Sequence, residues 1–166
     1  MDTLRPNSVF RITRPIRREE LAFSLIELIL VLTIISVLAA IAVPRYANAL
    51  ARYRVDAAAS RVVADLDYAR QRARASSASV TVSFKTGQEC VILEGVQHID
   101  DPGKQWGVAL AGKPYYADLV SVDFTGHKLI FDGYGYPDSG GTAVLRVGTE
   151  TRTVVLDADT GKAAVQ

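Results

Sequence analysis

The sequence predicts an α+β fold, in which a long membrane-spanning N-terminal helix packs through its C-terminal half on an antiparallel β-sheet domain. Three observations predict this fold. An apolar run of membrane length occupies Leu28–Val43, and a stripe of apolar residues at helical spacing continues beyond it. The remaining residues form short strand-like runs, separated by turn residues and without a second long helix.

The first element is an apolar segment, Phe23–Val43, whose 21 residues suffice for a helix to cross a bilayer. It contains one charged residue, Glu27, about one helical turn from its start. An ionised side chain in hydrocarbon costs roughly 2.5–3.5 kcal/mol, so this carboxylate requires a compensating partner. Arginines lie on both sides of the segment, at 5, 11, 14, 17 and 18 before it and at 45, 52, 54 and 61 after it. The charge rule for membrane orientation therefore does not discriminate.

The second element is an amphipathic continuation of the same helix over residues 44–78. An apolar stripe recurs at three- and four-residue steps, which predicts one buried helix face; its members are Val55, Ala59, Val62, Leu66, Ala69 and Ala73. We place Arg54, Arg61, Asp65 and Arg72 on other faces. Pro44 removes a backbone donor and should kink or loosen the helix at the end of the apolar run.

The third element is a sheet domain over residues 79–166. Val80, Val82 and Phe84 alternate with polar residues and predict a strand, and a turn at 85–87 leads to a second strand over 90–94. Further strands are predicted at 120–124, 128–131, 142–147 and 152–157, the last of them ending in a tight turn at 159–161. Residues 132–141 are a glycine-rich loop by composition, and residues 98–118 give no defined element. The single cysteine, Cys90, excludes an internal disulfide and indicates packing rather than reactivity.

The charge distribution does not favour a nucleic-acid-binding protein. Residues 45–78 carry seven arginines against three aspartates, and residues 79–166 carry seven lysines or arginines against eleven acids, so the chain beyond Pro44 is close to neutral. Arg70, Arg72 and Arg74 could contact DNA, but residues two apart on a helix do not share a face. A solvated surface, or one facing acidic groups of the sheet domain, is the favoured interpretation.

No catalytic or phosphate-binding motif stands out. His98 and His127 have acidic neighbours in sequence, and we interpret both as surface histidines in loops. Asp157, Asp159 and Gly161 could hold calcium, but the later bidentate glutamate of a full calcium loop is missing, so a simple turn is favoured. We therefore expect no enzyme activity, no cofactor, no small-molecule substrate and no nucleic-acid partner.

The segment Ala22-Phe23-Ser24-Leu25-Ile26-Glu27, with the apolar run through Arg45 that follows it, closely resembles the class III signal of type IV pilins and type II secretion pseudopilins. The resemblance implies that a prepilin peptidase cuts between Ala22 and Phe23, and that the new Phe23 terminus is N-methylated. It also implies that Glu27 meets the terminal amine of a neighbouring subunit. Two residues depart from the usual pattern: Ala22 replaces a glycine, and Ser24 replaces a threonine.

The C-terminal region is similar to GspH/FimT-type minor pseudopilins. The resemblance lies in residues 67–73 leading into Val80, in residues 130–135, and in residues 159–162. It implies a non-enzymatic subunit of a type II secretion pseudopilus that assists the export of folded proteins. The implied partners are other pseudopilins or pilins of the filament, the prepilin peptidase and the bacterial inner membrane, with the C-terminal domain in the periplasm.

The resemblance divides the chain into a leader (1–22), a transmembrane assembly helix (23–43), the amphipathic helix (44–78) and the periplasmic sheet domain (79–166). Three alternatives stay open within the pilin-like group: a major pseudopilin, a minor type IV pilin in pilus assembly or adhesion, and one in DNA uptake. An ordinary signal anchor, or a secretory signal cut after Ala42, would require neither Glu27 nor Phe23.

Overall fold

The computed structural model describes residues 24–98, 101 and 103–166. The predicted leader, with the Ala22–Phe23 junction, lies outside these residues. The chain divides into two units, one ending at Ala40 and the other spanning Ile41–Gln166.

Helix α1 (Leu25–Ser76) begins in the first unit and ends in the second, and Pro44 lies inside it. Over residues 25–40 its large apolar side chains are exposed. Among the described residues, α1 is the one helix that is long and apolar enough to cross a membrane. Its start therefore has the composition and the exposed surface that lipid or other apolar helices require.

In the second unit the predicted apolar stripe of α1 is buried, as expected. The whole set, Val55, Ala59, Val62, Leu66, Ala69 and Ala73, is at most 1% exposed. The placement of Asp65 on another face was wrong, because this carboxylate is only 3% exposed. It follows Val62 by three residues and precedes Ala69 by four, and this spacing puts it on the buried face.

Eight strands follow the helix in the described residues: β1 (Val80–Lys85), β2 (Cys90–Gln97), β3 (Gln105–Ala109), β4 (Asp118–Val122), β5 (Lys128–Phe131), β6 (Gly141–Val147), β7 (Glu150–Leu156) and β8 (Ala163–Val165). The predicted strands correspond to β1, β2, β4, β5, β6 and β7, although β4 begins two residues earlier than expected. β3 was not predicted, and the run 152–157 is not the last strand, because β8 follows it.

The strands form two antiparallel four-stranded sheets, with orders β3-β2-β1-β5 and β4-β6-β7-β8. In the first sheet Val82 pairs with Leu93 and with Leu129, so three buried apolar side chains lie across neighbouring strands. The two sheets meet in one core with the helix stripe. Phe84 of β1 stacks on Phe124, which follows β4, with ring centroids 5.0 Å apart.

Candidate functional site

The carboxylate singled out by the sequence, Glu27, lies in the first turn of α1 and is exposed. Its negative charge there suits the positive end of the helix dipole. It is the only charged residue between Ser24 and Pro44, and within the described part of this single chain it forms no salt bridge. Ala22 and Phe23, the residues of the predicted cleavage site, lie outside the described residues.

The rest of the helix start presents an apolar surface with its polar groups satisfied. Thr33 and Ser36 both donate their hydroxyls, at 2.7 Å, to carbonyls of their own helix, those of Leu30 and Leu32 respectively. Hydroxyls bonded in this way leave no unpaired polar group, which is what a hydrocarbon environment requires. Thr33, Ile34 and two further apolar residues also line a shallow depression on this surface.

The three candidate DNA-contacting arginines do not form one cationic patch. Arg72 is exposed, whereas Arg74 donates its Nε–H to the carbonyl of Tyr134 at 2.7 Å. Arg70 is half-buried, and its buried Nε has no hydrogen-bond partner. Its Cδ lies 3.6 Å from the position that a Cβ on Gly161 would occupy. Arg70 and Arg74 thus contact loops of the sheet domain, although Arg74, like Arg72, is exposed to solvent.

The glycine-rich loop owes its composition to packing against the end of α1. A Cβ built on Gly133 would lie 2.8 Å from the carbonyl carbon of Ser77, and one on Gly135 would lie 2.5 Å from Nε of Arg74. Gly135 also has a φ of 81°, which disfavours any other residue. The loop can approach the helix end only because both positions lack a side chain.

The predicted turn at Asp157 is formed by the carboxylate itself. Asp157 Oδ1 accepts bonds from the backbone N–H of Asp159 at 2.9 Å, from the N–H of Thr160 at 2.7 Å and from the Thr160 hydroxyl at 3.0 Å. The backbone bond from Thr160 is the largest cause that lowers the pKa of Asp157 below its ordinary value. The described residues contain no group of three acidic, histidine or cysteine side chains that could hold a metal.

The remaining sequence candidates are dispersed. His98 stacks on Trp106 with ring centroids 5.1 Å apart, while His127 is exposed in a short turn, Thr125–His127. Cys90 is a half-buried free thiol at the start of β2.

Sequence reasoning missed a polar cluster around Asp65, where α1 meets β3. The Trp106 indole N–H donates to Asp65 Oδ1 at 3.2 Å, and Arg61 Nε lies 3.3 Å from both carboxylate oxygens. Burial raises the pKa of Asp65 above its ordinary value, although Arg61 and the indole bond act in the opposite direction. Tyr68 also packs against Trp106, with ring centroids 4.7 Å apart and the rings tilted by 31°.

In this cluster, Trp106 is the side chain through which strand β3 contacts Asp65 and Arg61 of the helix. Arg61 lies over the indole ring at 5.7 Å, and His98 stacks on it as well. A hydrogen bond to a buried charge is worth more than a neutral one, about 1.5–3 kcal/mol. In the sequence, the one feature that could have indicated this cluster is the position of Asp65 on the apolar stripe of α1.

A second set of contacts ties α1 to the β6–β7 hairpin. Arg52 pairs with Glu150 at 3.0 Å, and Asp56, one turn later, pairs with Arg152 at 2.6 Å. The charges of the two pairs are reversed, so helix and strand each contribute one arginine and one acid. Because the helix member of each pair is exposed, while its strand partner is half-buried, the pairs set the register of the contact more than its stability.

Comparisons with known proteins cover most of the chain. The family described as "Type II transport protein GspH" matches residues 58–160. The "Prokaryotic N-terminal methylation motif" matches residues 17–43. No curated protein sequence matches the chain.

One solved structure, the type IV minor pilin FimU of Pseudomonas aeruginosa (strain PAO1), is similar with a TM-score of 0.51. The likeness covers 69% of this chain and 90% of that one at 15% sequence identity. At this identity it establishes a shared fold.

Proposed function

Since the chain belongs to the GspH family of type II transport proteins, we propose that it is a minor pseudopilin of a type II secretion pseudopilus, which assists the export of folded proteins. The predicted membership of the pilin-like GspH/FimT type is confirmed by the two family matches. The α+β fold is confirmed by the FimU likeness. Both family and fold are those of structural subunits.

The observation that carries the proposal is the order of two regions on one chain. A methylation-type motif over residues 17–43 comes first, and the GspH region over residues 58–160 follows. The first region contains an exposed apolar helix with a single carboxylate, and the second folds on a helix stripe that is fully buried. A soluble enzyme has no use for the first region, whereas a membrane-anchored filament subunit needs both.

We place the leader, residues 1–22, in the cytoplasm, where prepilin peptidase would remove it and leave a methylated Phe23 terminus. Residues 23–43 would then cross the inner membrane and pack against other subunits. Residues 44–78 and 79–166 would stand in the periplasm as the amphipathic helix and the sheet domain. A kink at Pro44, at the end of the apolar run, stays a prediction.

The mechanism of assembly follows from the cost of Glu27. A lone carboxylate in hydrocarbon costs roughly 2.5–3.5 kcal/mol on insertion scales, and Glu27 has no counter-charge among the described residues of its own chain. A neighbouring subunit whose terminal amine reaches Glu27 would remove most of this cost. The unpaired charge thereby favours the assembled state over the isolated subunit.

The test compares Glu27→Leu with Thr33→Leu, which introduces the same residue in the same helix. Thr33 bonds only to its own helix, so its replacement should leave both insertion and assembly unchanged. Glu27→Leu should insert as well as the wild type and yet co-purify poorly with the other filament subunits. Normal incorporation of the Glu27→Leu protein would contradict the docking role.

The alternative is a minor type IV pilin, since the FimU fold fits that role equally well. Such a subunit would use the same anchor in a pilus for adhesion or DNA uptake. Because Arg70 and Arg74 face loops of their own domain, DNA binding lacks a common basic surface here. Co-purification with secretion or with pilus subunits separates the two roles, and a salt-dependent DNA affinity of the chain would favour uptake.

A further inference from the structure

The outer edge of β3 is an open hydrogen-bonding surface on the sheet domain. Among the strands that the structure describes, β3 is an end strand of its sheet and pairs only with β2. The register sets Val108 opposite Val91 and Gly107 opposite Ile92. The same register places Leu110, the residue after β3, opposite Glu89, the residue before β2. Across this pair the Leu110 N–H donates to the Glu89 carbonyl at 2.8 Å.

This bond fixes which backbone groups of β3 face outward. Directly opposed residues in an antiparallel pair alternate between those that exchange hydrogen bonds and those that do not. Since Leu110 bonds to its opposite residue, Val108 and Trp106 do the same. The N–H and C=O groups of Gly107 and Ala109 therefore point away from β2, and no other described strand pairs with them.

The other three edges in the described sheets carry protection on the edge strand itself, whereas the irregularity in the β2–β3 pairing lies in β2, between Leu93 and Gln97. The edge of β5 is closed by its own loop, because Asp138 bonds to both the N–H and the C=O of Ile130, at 3.0 and 2.9 Å. β4 carries a bulge and the Asp118–Arg146 ion pair, and β8 has only three residues. Charges, bulges and short length are the usual means of blocking edge pairing.

β3 has five residues, Gln105–Ala109, with no charge and no proline. It is held in place from the core side by the Trp106 contacts with Asp65, Arg61 and Tyr68. Gly107 and Ala109 are exposed and have small side chains that leave room beside the edge. A fixed strand with an open, uncharged edge is a template for strand addition.

We propose that the β3 edge binds an extended, uncharged segment of a different filament subunit, which adds a fifth strand to this sheet. The backbone chemistry of the edge requires an extended chain as its partner, and the absence of charge on β3 leaves no attraction for a charged segment. The choice of a filament subunit rests on the proposed function. A second copy of this chain is a separate outcome of the test.

Amide hydrogen exchange, resolved to single residues, tests the proposal on the full-length chain alone in detergent and in purified filaments. Gly107 and Ala109 should exchange rapidly in the isolated chain and at least about tenfold more slowly in the filament. Val108, which bonds to β2, should be protected in both. Equally fast exchange in the filament would overturn the proposal. Protection already present in the isolated chain would overturn it too, and loss of that protection on dilution would identify a second copy as the partner.

Substitutions at Ala109 provide the matched variants. Ala109→Pro removes one outward N–H and keeps the β2 pairing, because edge strands tolerate proline at such positions. Ala109→Lys keeps the N–H and adds a charge that opposes edge pairing. Both should lower incorporation into filaments at least about tenfold, and Ala109→Val should incorporate normally.

Normal incorporation of both the proline and the lysine variants would overturn the inference. Failure of the proposed function gives a different result, because the wild-type chain would then be absent from purified filaments.

Discussion

The Asp65–Trp106 contact predicts a specific pattern of stabilities for two single variants and their combination. Asp65 is 3% exposed, and its carboxylate is bonded by Trp106 at 3.2 Å and by Arg61 at 3.3 Å. Trp106→Phe keeps most of the ring and removes the indole donor. This substitution leaves the buried charge with one hydrogen-bond donor in place of two. It should therefore lower the free energy of unfolding by about 2–3 kcal/mol.

Asp65→Ala should have a smaller effect than Trp106→Phe. It removes the buried charge together with its desolvation cost, and alanine has the better helix propensity by up to about 0.7 kcal/mol. The indole N–H that it leaves behind belongs to a half-buried ring, which water can reach in part. In this background Trp106→Phe should cost about 1 kcal/mol or less, so the coupling energy should be about 1–2 kcal/mol.

Urea unfolding of the full-length chain in detergent, followed by circular dichroism, measures the four stabilities. Tyr68→Phe is the control, since it keeps the ring that packs against Trp106 and should change the stability by no more than about 0.5 kcal/mol. Additivity of the two variants within about 0.5 kcal/mol would refute the account of β3 as a strand fastened through Asp65.

The pH dependence of the same variants follows from the raised pKa of Asp65. An acid with a raised folded-state pKa binds its proton more tightly in the folded chain than in the unfolded one. Its stability contribution is therefore largest at low pH and falls as pH rises through the ordinary pKa to the raised one. Asp65→Ala should remove this fall in stability with rising pH. If the stability of the variant depended on pH in the acid range as that of the wild type does, the raised pKa could not belong to Asp65.

Three further predictions concern the sheet domain and its contacts with the helix, and the same unfolding measurement tests each of them. Gly133→Ala should cost about 1–3 kcal/mol through its backbone clash, whereas Gly87→Ala, with open space around it, should be close to neutral; equal effects would show that the loop does not pack on the helix. Because hydrogen bonds lower the pKa of Asp157, Asp157→Ala should destabilise the chain at any pH above the ordinary aspartate pKa. This destabilisation should disappear as the pH falls through the lowered pKa of Asp157, and a destabilisation that persists in acid would contradict this prediction. Arg52→Ala should lower the free energy of unfolding by less than about 1 kcal/mol, because the Arg52 side chain is 65% exposed, and a larger loss of stability would show that the pair is essential.

The features that the sequence predicted correctly are those that repeat along the chain. The α1 stripe recurs at every turn, and β1 shows its alternation within six residues, so each position supports its neighbours. Asp65 was assigned to the wrong face because residue type was given more weight than position. Its burial depends on Arg61, one turn earlier in the helix, and on a donor from Trp106, 41 residues away, which no local pattern shows.

The unpredicted strands have a different cause. β3 lies in a segment rich in glycine and proline, and it extends only because β2 pairs with it and Trp106 anchors it. β8 has three residues, too few to show any period. At the candidate site, Glu27 was identified from the sequence by its charge in an apolar run, but its proposed partner belongs to another chain, so no single chain can contain the complete site.

The measurement that tests the central claim most directly is the intact mass of the protein purified from cells that contain the peptidase, with sequencing of its N-terminus. The account predicts a chain that begins at Phe23 with a methylated amine. A chain beginning at Val43, or one that retains the Met1 leader, would contradict it.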